Sequence, residues 1–286
     1  MTLQKFLLLI FLIILSSCGE NLKKSYYFKS GELLSEIEYN EEGQKDGQLK
    51  EYYKTGELKT IETYKNGKLI DTTFGYDKSG NLTVKRYSDN GIEMFEGYEN
   101  KGSLRSKGAI IDTILTGWWE YYDRDGKLEQ KIEYLNASED SLLKNKQHIN
   151  QVIRYDQDQK VIKDSSNYLT IELKDTISMG ELTLGYLDLV PGQSKKSDFH
   201  MVYFYHEDSS GNRSPMDSTY GKNNKKATIW ITPIIEGNYY LKGHIIEKGT
   251  KVVINKEDSE MRDIYTSTTK MFFKKPYFVI NSSEKN

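Results

Sequence analysis

The groups in this 286-residue sequence that could do chemistry are one thiol, four imidazoles and many carboxylates. The thiol is Cys18, the only cysteine, so neither an intramolecular disulfide nor a cysteine-rich zinc site can form. The imidazoles are His148, His200, His206 and His244. His200 and His206 share a face of one expected strand. At ~3.3 Å per residue they stand ~20 Å apart, too far for one metal, and read as surface or edge histidines. Asp123-x-Asp125-Gly126 and Asp156-x-Asp158 carry the alternating carboxylates with which a calcium loop begins. The turns of neighbouring repeats carry Lys29, Lys54 and Lys78, so these turns tolerate the opposite charge and calcium is not expected. There is no Gly-x-Ser-x-Gly, phosphate loop, His-Glu-x-x-His or dinucleotide fingerprint. The expectation is no enzyme, no catalytic residue, no metal and no cofactor. A carboxylate pair in a groove stays open, with nothing to single one out.

Forty Lys and Arg against 42 Asp and Glu give a net charge of -2, which argues against a nucleic-acid binder and an acidic tail. Twenty-two Tyr and 22 Gly against 4 Pro point to many short strands joined by tight turns. The length suggests about two domains at roughly 150 residues each. Lysine pairs at Lys195-Lys196, Lys225-Lys226 and Lys274-Lys275 read as solvated turns or edge-strand gatekeepers.

Lys5 precedes an unbroken apolar run, Phe6 to Leu15. As a helix it would span about 15 Å, roughly half a bilayer core, so it reads as a signal-peptide segment. It ends in Leu15-Ser16-Ser17-Cys18-Gly19, which resembles the bacterial lipobox. That resemblance implies cleavage of residues 1–17, lipidation of Cys18, a tether over residues 18–24 and a membrane anchor. Several acyl chains at ~0.8 kcal/mol per buried CH₂ would hold such a protein at a bilayer durably.

Five segments then align in register. The anchor glycines Gly31, Gly56, Gly80, Gly102 and Gly126 are spaced by 25, 24, 22 and 24 residues. Four residues before each stands Tyr27, Tyr52, Tyr76, Tyr98 or Tyr122. Two residues after each stands Leu33, Leu58, Leu82, Leu104 or Leu128. A decayed sixth copy places Tyr155, Gln159 and Val161 in the three columns. Gly accepts the positive φ of a tight turn, and the residues after it alternate with period two. Each repeat is therefore about one hairpin, and stacking hairpins buries the Tyr and Leu columns as stripes. A second glycine, Gly47, Gly67, Gly91 or Gly117, often starts the return.

The array over residues 25–163 resembles the bacterial MORN-repeat variant, best in EYYKTGELKTIETYKNGKL at 51–69. YDKSGNLTVKRYSDNG also resembles the YD repeat of large toxin shells, which need far more repeats to close. The MORN resemblance implies a non-catalytic strip for docking protein or lipid, with an antitoxin-like association. If the anchor tyrosines pack inward, Tyr26, Tyr53 and Tyr121 face outward, and Trp118 and Trp119 likewise take opposite faces. An outward aromatic row of Tyr26, Tyr53, Trp118 and Tyr121 would suit protein or glycan docking.

All four prolines lie after residue 165, where the period stops. Strand-like runs at 167–174, 181–190, 199–207, 226–233, 238–247, 251–255 and 270–281 suggest a β-sandwich over 165–281. Pro233-x-x-Glu236-Gly237-Asn238-Tyr239-Tyr240-Leu241 resembles the penultimate strand of Ig-like and fibronectin-like domains, with Tyr239 as the corner tyrosine. The fold expectation is all-β, an elongated antiparallel hairpin-repeat sheet followed by a sandwich. The functional expectation is a membrane-anchored envelope lipoprotein with a protein or glycan partner and no nucleic acid. The alternatives are an immunity or antitoxin-like protein outside the cytoplasm and a glycan-processing enzyme.

Overall fold

The computed structural model describes residues 22–99, 102–135, 147–190, 199–222, 226–254 and 262–281. Cys18 and the apolar run before it lie outside the described residues. Among the described residues the chain is nearly all strand, with no α-helix. It forms two compact units: residues up to Leu115 with Tyr121–Gly126, and Thr116–Glu120 with Lys127 onward.

The repeats build one antiparallel meander. Its strands are β1 (Leu22–Tyr27), β2 (Leu33–Tyr39), β3 (Gly47–Tyr52), β4 (Leu58–Lys65), β5 (Lys68–Leu69), β6 (Thr73–Tyr76), β7 (Leu82–Asp89), β8 (Ile92–Glu99), β9 (Ser103–Ile111), β10 (Ile114–Tyr122), β11 (Leu128–Leu135) and β12 (His148–Arg154). They pair in chain order, with β5 folded back on β4 beside the main path.

The repeat spacing follows from hairpin closure. The N–H of Gly31 donates to Phe28 O at 3.0 Å, and that of Phe28 to Glu32 O at 2.9 Å. The same pair of bonds recurs at Gly56 with Tyr53 and at Gly80 with Asp77. Gly31, Gly56 and Gly80 sit at φ 102°, 98° and 81°, the left-handed region that closes such a loop with a bulge. Gln159 of the decayed copy makes the same turn at φ 63°. The register pairs Tyr27 with Leu33, Tyr52 with Leu58, Tyr76 with Leu82 and Tyr98 with Leu104, each beside a one-residue shift. The two columns are therefore direct cross-strand partners, an arrangement that contributes roughly 0.2–1 kcal/mol per pair. At the opposite end, Asn66-Gly67, Asn90-Gly91 and Asp112-Thr113 turn the chain with two positive φ values each. Gly47 begins β3 and Gly117 lies inside β10, so neither makes such a turn.

The expected burial of the stripes needs correction. In the first unit Ile37 and Ile110 are the hydrophobic residues buried below a tenth of their area, among the described residues. Tyr52, Tyr76, Tyr98 and Tyr122 are half-buried, and Tyr27 is exposed. Among the described residues of the first unit no second layer covers either face of the sheet, and β1 has a neighbour on one side only. Polar links supplement the ladder: Tyr52 donates to Glu36, and Tyr87 and Tyr98 both donate to Glu96.

The second unit adds β13 (Tyr168–Glu172), β14 (Thr176–Ser178), β15 (Thr183–Val190), β16 (Phe199–Asp208), β17 (Asp217–Lys222), β18 (Ala227–Ile231), β19 (Gly237–Ile254) and β20 (Arg262–Ile280). They form a three-stranded sheet, β13-β15-β18, and a five-stranded sheet, β14-β20-β19-β16-β17. Leu187, Ile229, Val202, Phe204, Leu241 and Val279 are fully buried in the core the two sheets share. Tyr239 donates to Ile235 O at 3.2 Å and stacks on Tyr277 with ring centres 5.5 Å apart. The runs at 238–247 and 251–255 merge into one strand, β19. Asn150 on β12 reaches β20, donating to Phe272 O at 2.9 Å and accepting the Phe272 N–H at 2.8 Å.

Candidate binding groove on the hairpin array

The one irregular junction in the order of the first strands makes a groove. After β4 the chain turns at Asn66-Gly67, and β5 pairs back on β4, Tyr64 against Leu69. The Ile70 N–H then donates to Thr63 O at 3.0 Å, and the chain leaves the ladder through Asp71 and Thr72. It rejoins β4 as β6, with Thr60 opposite Gly75. The excursion stands as a wall beside the face of β4, β6 and β7, and the space it encloses is about 650 Å³. That lies within the ~300–1,000 Å³ usual for small-molecule sites.

The floor follows from the register. Glu51, Thr60, Gly75, Val84, Gly97 and Ser106 are successive cross-strand partners in one row. Alternation places Thr73 and Arg86 on the same face one step along, and Glu93 two steps along. Thr83 donates to Gly75 O at 3.1 Å, and Thr60 to Glu51 at 3.1 Å. Tyr53 closes one end, its hydroxyl donating to Tyr76 O at 2.8 Å and the Lys78 ammonium 5.8 Å from its ring centre. Lys59, Arg86, Glu62, Asp71 and Glu93 bring charges of both signs to the lining. Nearby, burial and Glu62 push the Tyr64 phenol up to about 12, and burial and Glu96 do the same to Tyr98. Although burial opposes it, hydrogen bonds from Tyr98 and Tyr87, with Lys85, hold the Glu96 carboxyl below its ordinary range.

Of the expected aromatic row, Tyr26 and Trp118 are exposed and Tyr53 and Tyr121 are half-buried. Tyr53 follows β3 and opens the turn, half-buried, where it lines the groove whose floor row continues through Glu51 and Ser35 to Tyr26. Tyr26 is exposed, with its hydroxyl 3.3 Å from that of Tyr39. Trp118 is 40% exposed and Trp119 2%, the opposite-face pattern of adjacent strand residues. Tyr121 is half-buried. The groove brings together Tyr53 and Tyr76 of the residues singled out in the sequence. Gly75, Thr83, Arg86 and the wall at 69–72 were missed.

Asp77, Asp123, Asp156 and Asp208 turn a carboxylate oxygen back onto backbone N–H groups two residues on, at 2.8–2.9 Å, so these carboxylates shape turns. No group of three metal-ligating side chains stands within reach of one ion among the described residues. His200 is buried rather than at the surface, because β16 lies inside its sheet between β17 and β19. Burial holds the imidazoles of His200 and His206 below their ordinary range. His206 pairs through Nδ1 with the Tyr277 hydroxyl at 3.0 Å. Comparison with known protein families, curated proteins and solved structures finds no match for this chain.

Proposed function

We propose that the chain is a lipid-anchored protein of the bacterial envelope and that its hairpin array is a non-catalytic binding module. The observation that carries the binding reading is the groove over β4, β6 and β7. It is an open, ordered concavity on a ladder whose backbone is already paired, lined by side chains that can donate and accept hydrogen bonds. The anchor rests on the sequence around Cys18.

The test is made in intact cells. A photoreactive residue at Thr83 should give a discrete adduct, and the same residue at Ser210, in a turn of the second unit, should not. The chain should partition with membranes, and Cys18→Ser should release it to the soluble fraction. Equal, diffuse labelling from both positions would overturn the binding reading. Membrane retention of Cys18→Ser would overturn the anchor.

A further inference from the structure

The repeats break their own rule at the groove. The residue before the anchor tyrosine is Tyr26 in the first copy, Glu51 in the second and Tyr121 in the fifth. In the third and fourth it is Gly75 and Gly97. Neither glycine is needed for backbone conformation, since neither is among the positive-φ glycines. A Cβ on Gly75 would meet Val84 Cβ at 3.4 Å, an ordinary contact, so packing does not demand glycine there either. What the missing side chain does is leave the groove floor open beside Thr60 and Thr83.

We infer that this opening is a binding site for a neutral oligosaccharide, a conclusion that rests on the binding-module reading above and gives it a ligand class. Six features select that class. The floor is the face of a sheet, so its N–H and C=O groups are used within the ladder and cannot extend it to a peptide strand. The lining offers the hydroxyls of Thr72 and Thr73, and the hydroxyl oxygens of Thr60 and Thr83 as acceptors, which suit a polyhydroxylated ligand. Glu62, Asp71 and Glu93 share the lining with Lys59 and Arg86, a near-balance that favours neither a polyanion nor a polycation. Lys59 and Arg86 make no ion pair among the described residues, and so are available as donors. Tyr53 and Leu69 at the margins supply apolar surface for the C–H face of a sugar ring. From β4 to β7 the floor spans two strand spacings, ~10 Å, and the groove is open to solvent, as a chain ligand requires.

The experiment presents the detergent-solubilised full chain to an immobilised array of neutral, amino-sugar and acidic oligosaccharides. Calorimetric titration follows with the strongest ligand. The control is Gly75→Tyr, which restores the residue the first and fifth copies carry at this place. Binding of a neutral or N-acetylated oligosaccharide, weakened at least tenfold by Gly75→Tyr with an unchanged melting curve, is the expected result. Should Gly75→Tyr fold poorly, Arg86→Gln and Asp71→Asn provide the same comparison from the lining. A blank array, binding confined to acidic glycans, or equal affinity in wild type and groove variants would overturn the inference. A blank array together with a protein adduct from Thr83 in cells would remove the glycan and leave the binding module standing.

Discussion

Replacing Asn150 should unfasten β12 from β20 within the second unit. Asn150 is 5% exposed and behaves as a strand would, giving one hydrogen bond to the Phe272 carbonyl and taking one from the Phe272 N–H. Its amide also donates to Glu133 at 2.5 Å. Asn150→Ala removes all three and leaves the backbone groups of Phe272 without their partner. At about 0.5–1.5 kcal/mol net per bond, the loss is about 2–4 kcal/mol. Asn150→Asp is the sharper variant. It keeps an acceptor for the Phe272 N–H but sets carboxylate oxygens against the Phe272 carbonyl and the Glu133 carboxylate. It should cost at least as much at pH 7 and recover as the pH falls towards 4, where protonation restores a donor. Urea unfolding followed by tryptophan emission measures both. A loss below about 0.5 kcal/mol for Asn150→Ala would show that water replaces the side chain and that the clamp does not hold these strands together.

Other consequences can be checked in the same way. Gly56 has φ 98° and open space where a Cβ would stand, so Gly56→Ala should cost about 1–2 kcal/mol through backbone strain alone. Gln159→Gly relieves the same strain at φ 63° but loses the Nε2 bond to Leu128 O, so its net effect should stay within about 1 kcal/mol. Tyr64 and Tyr98, with phenols raised to about 12, contribute stability that is complete below the ordinary phenol value near 10. That part is lost as the pH rises through 12, and the Tyr64→Phe, Tyr98→Phe double variant should flatten the alkaline limb of a melting-temperature profile. Phe204 is fully buried, and Phe204→Ala should destabilise by about 3–5 kcal/mol in urea.

The hairpins were legible in the sequence because closure is local. A Tyr four residues before a Gly and a Leu two residues after it are the residues that meet across the bulged end of one hairpin. Even Gln159 was readable as a decayed turn. Burial was not legible, because whether Tyr27 is covered depends on a neighbouring strand, and β1 has one on one side only. Tyr53 is half-buried for a related reason: its hydroxyl reaches Tyr76 O beside a junction that the repeat pattern does not contain. The short β14 and β17 escaped because three to six residues of mixed polarity carry no period. The groove escaped because its wall is an excursion from the pattern, and its floor is set by the absence of a side chain at Gly75. The signal was present as a departure from the repeat, but departures acquire meaning only when the register shows what faces them.

The central claim is that the array binds its ligand in the groove that Gly75 leaves open. The most direct measurement is the adduct yield from a photoreactive residue at Thr83 in intact cells, in the otherwise unaltered chain and with Gly75→Tyr. A discrete adduct that disappears with Gly75→Tyr, at equal chain abundance and melting temperature, is the predicted result. An adduct that persists unchanged when the floor is filled would contradict the claim.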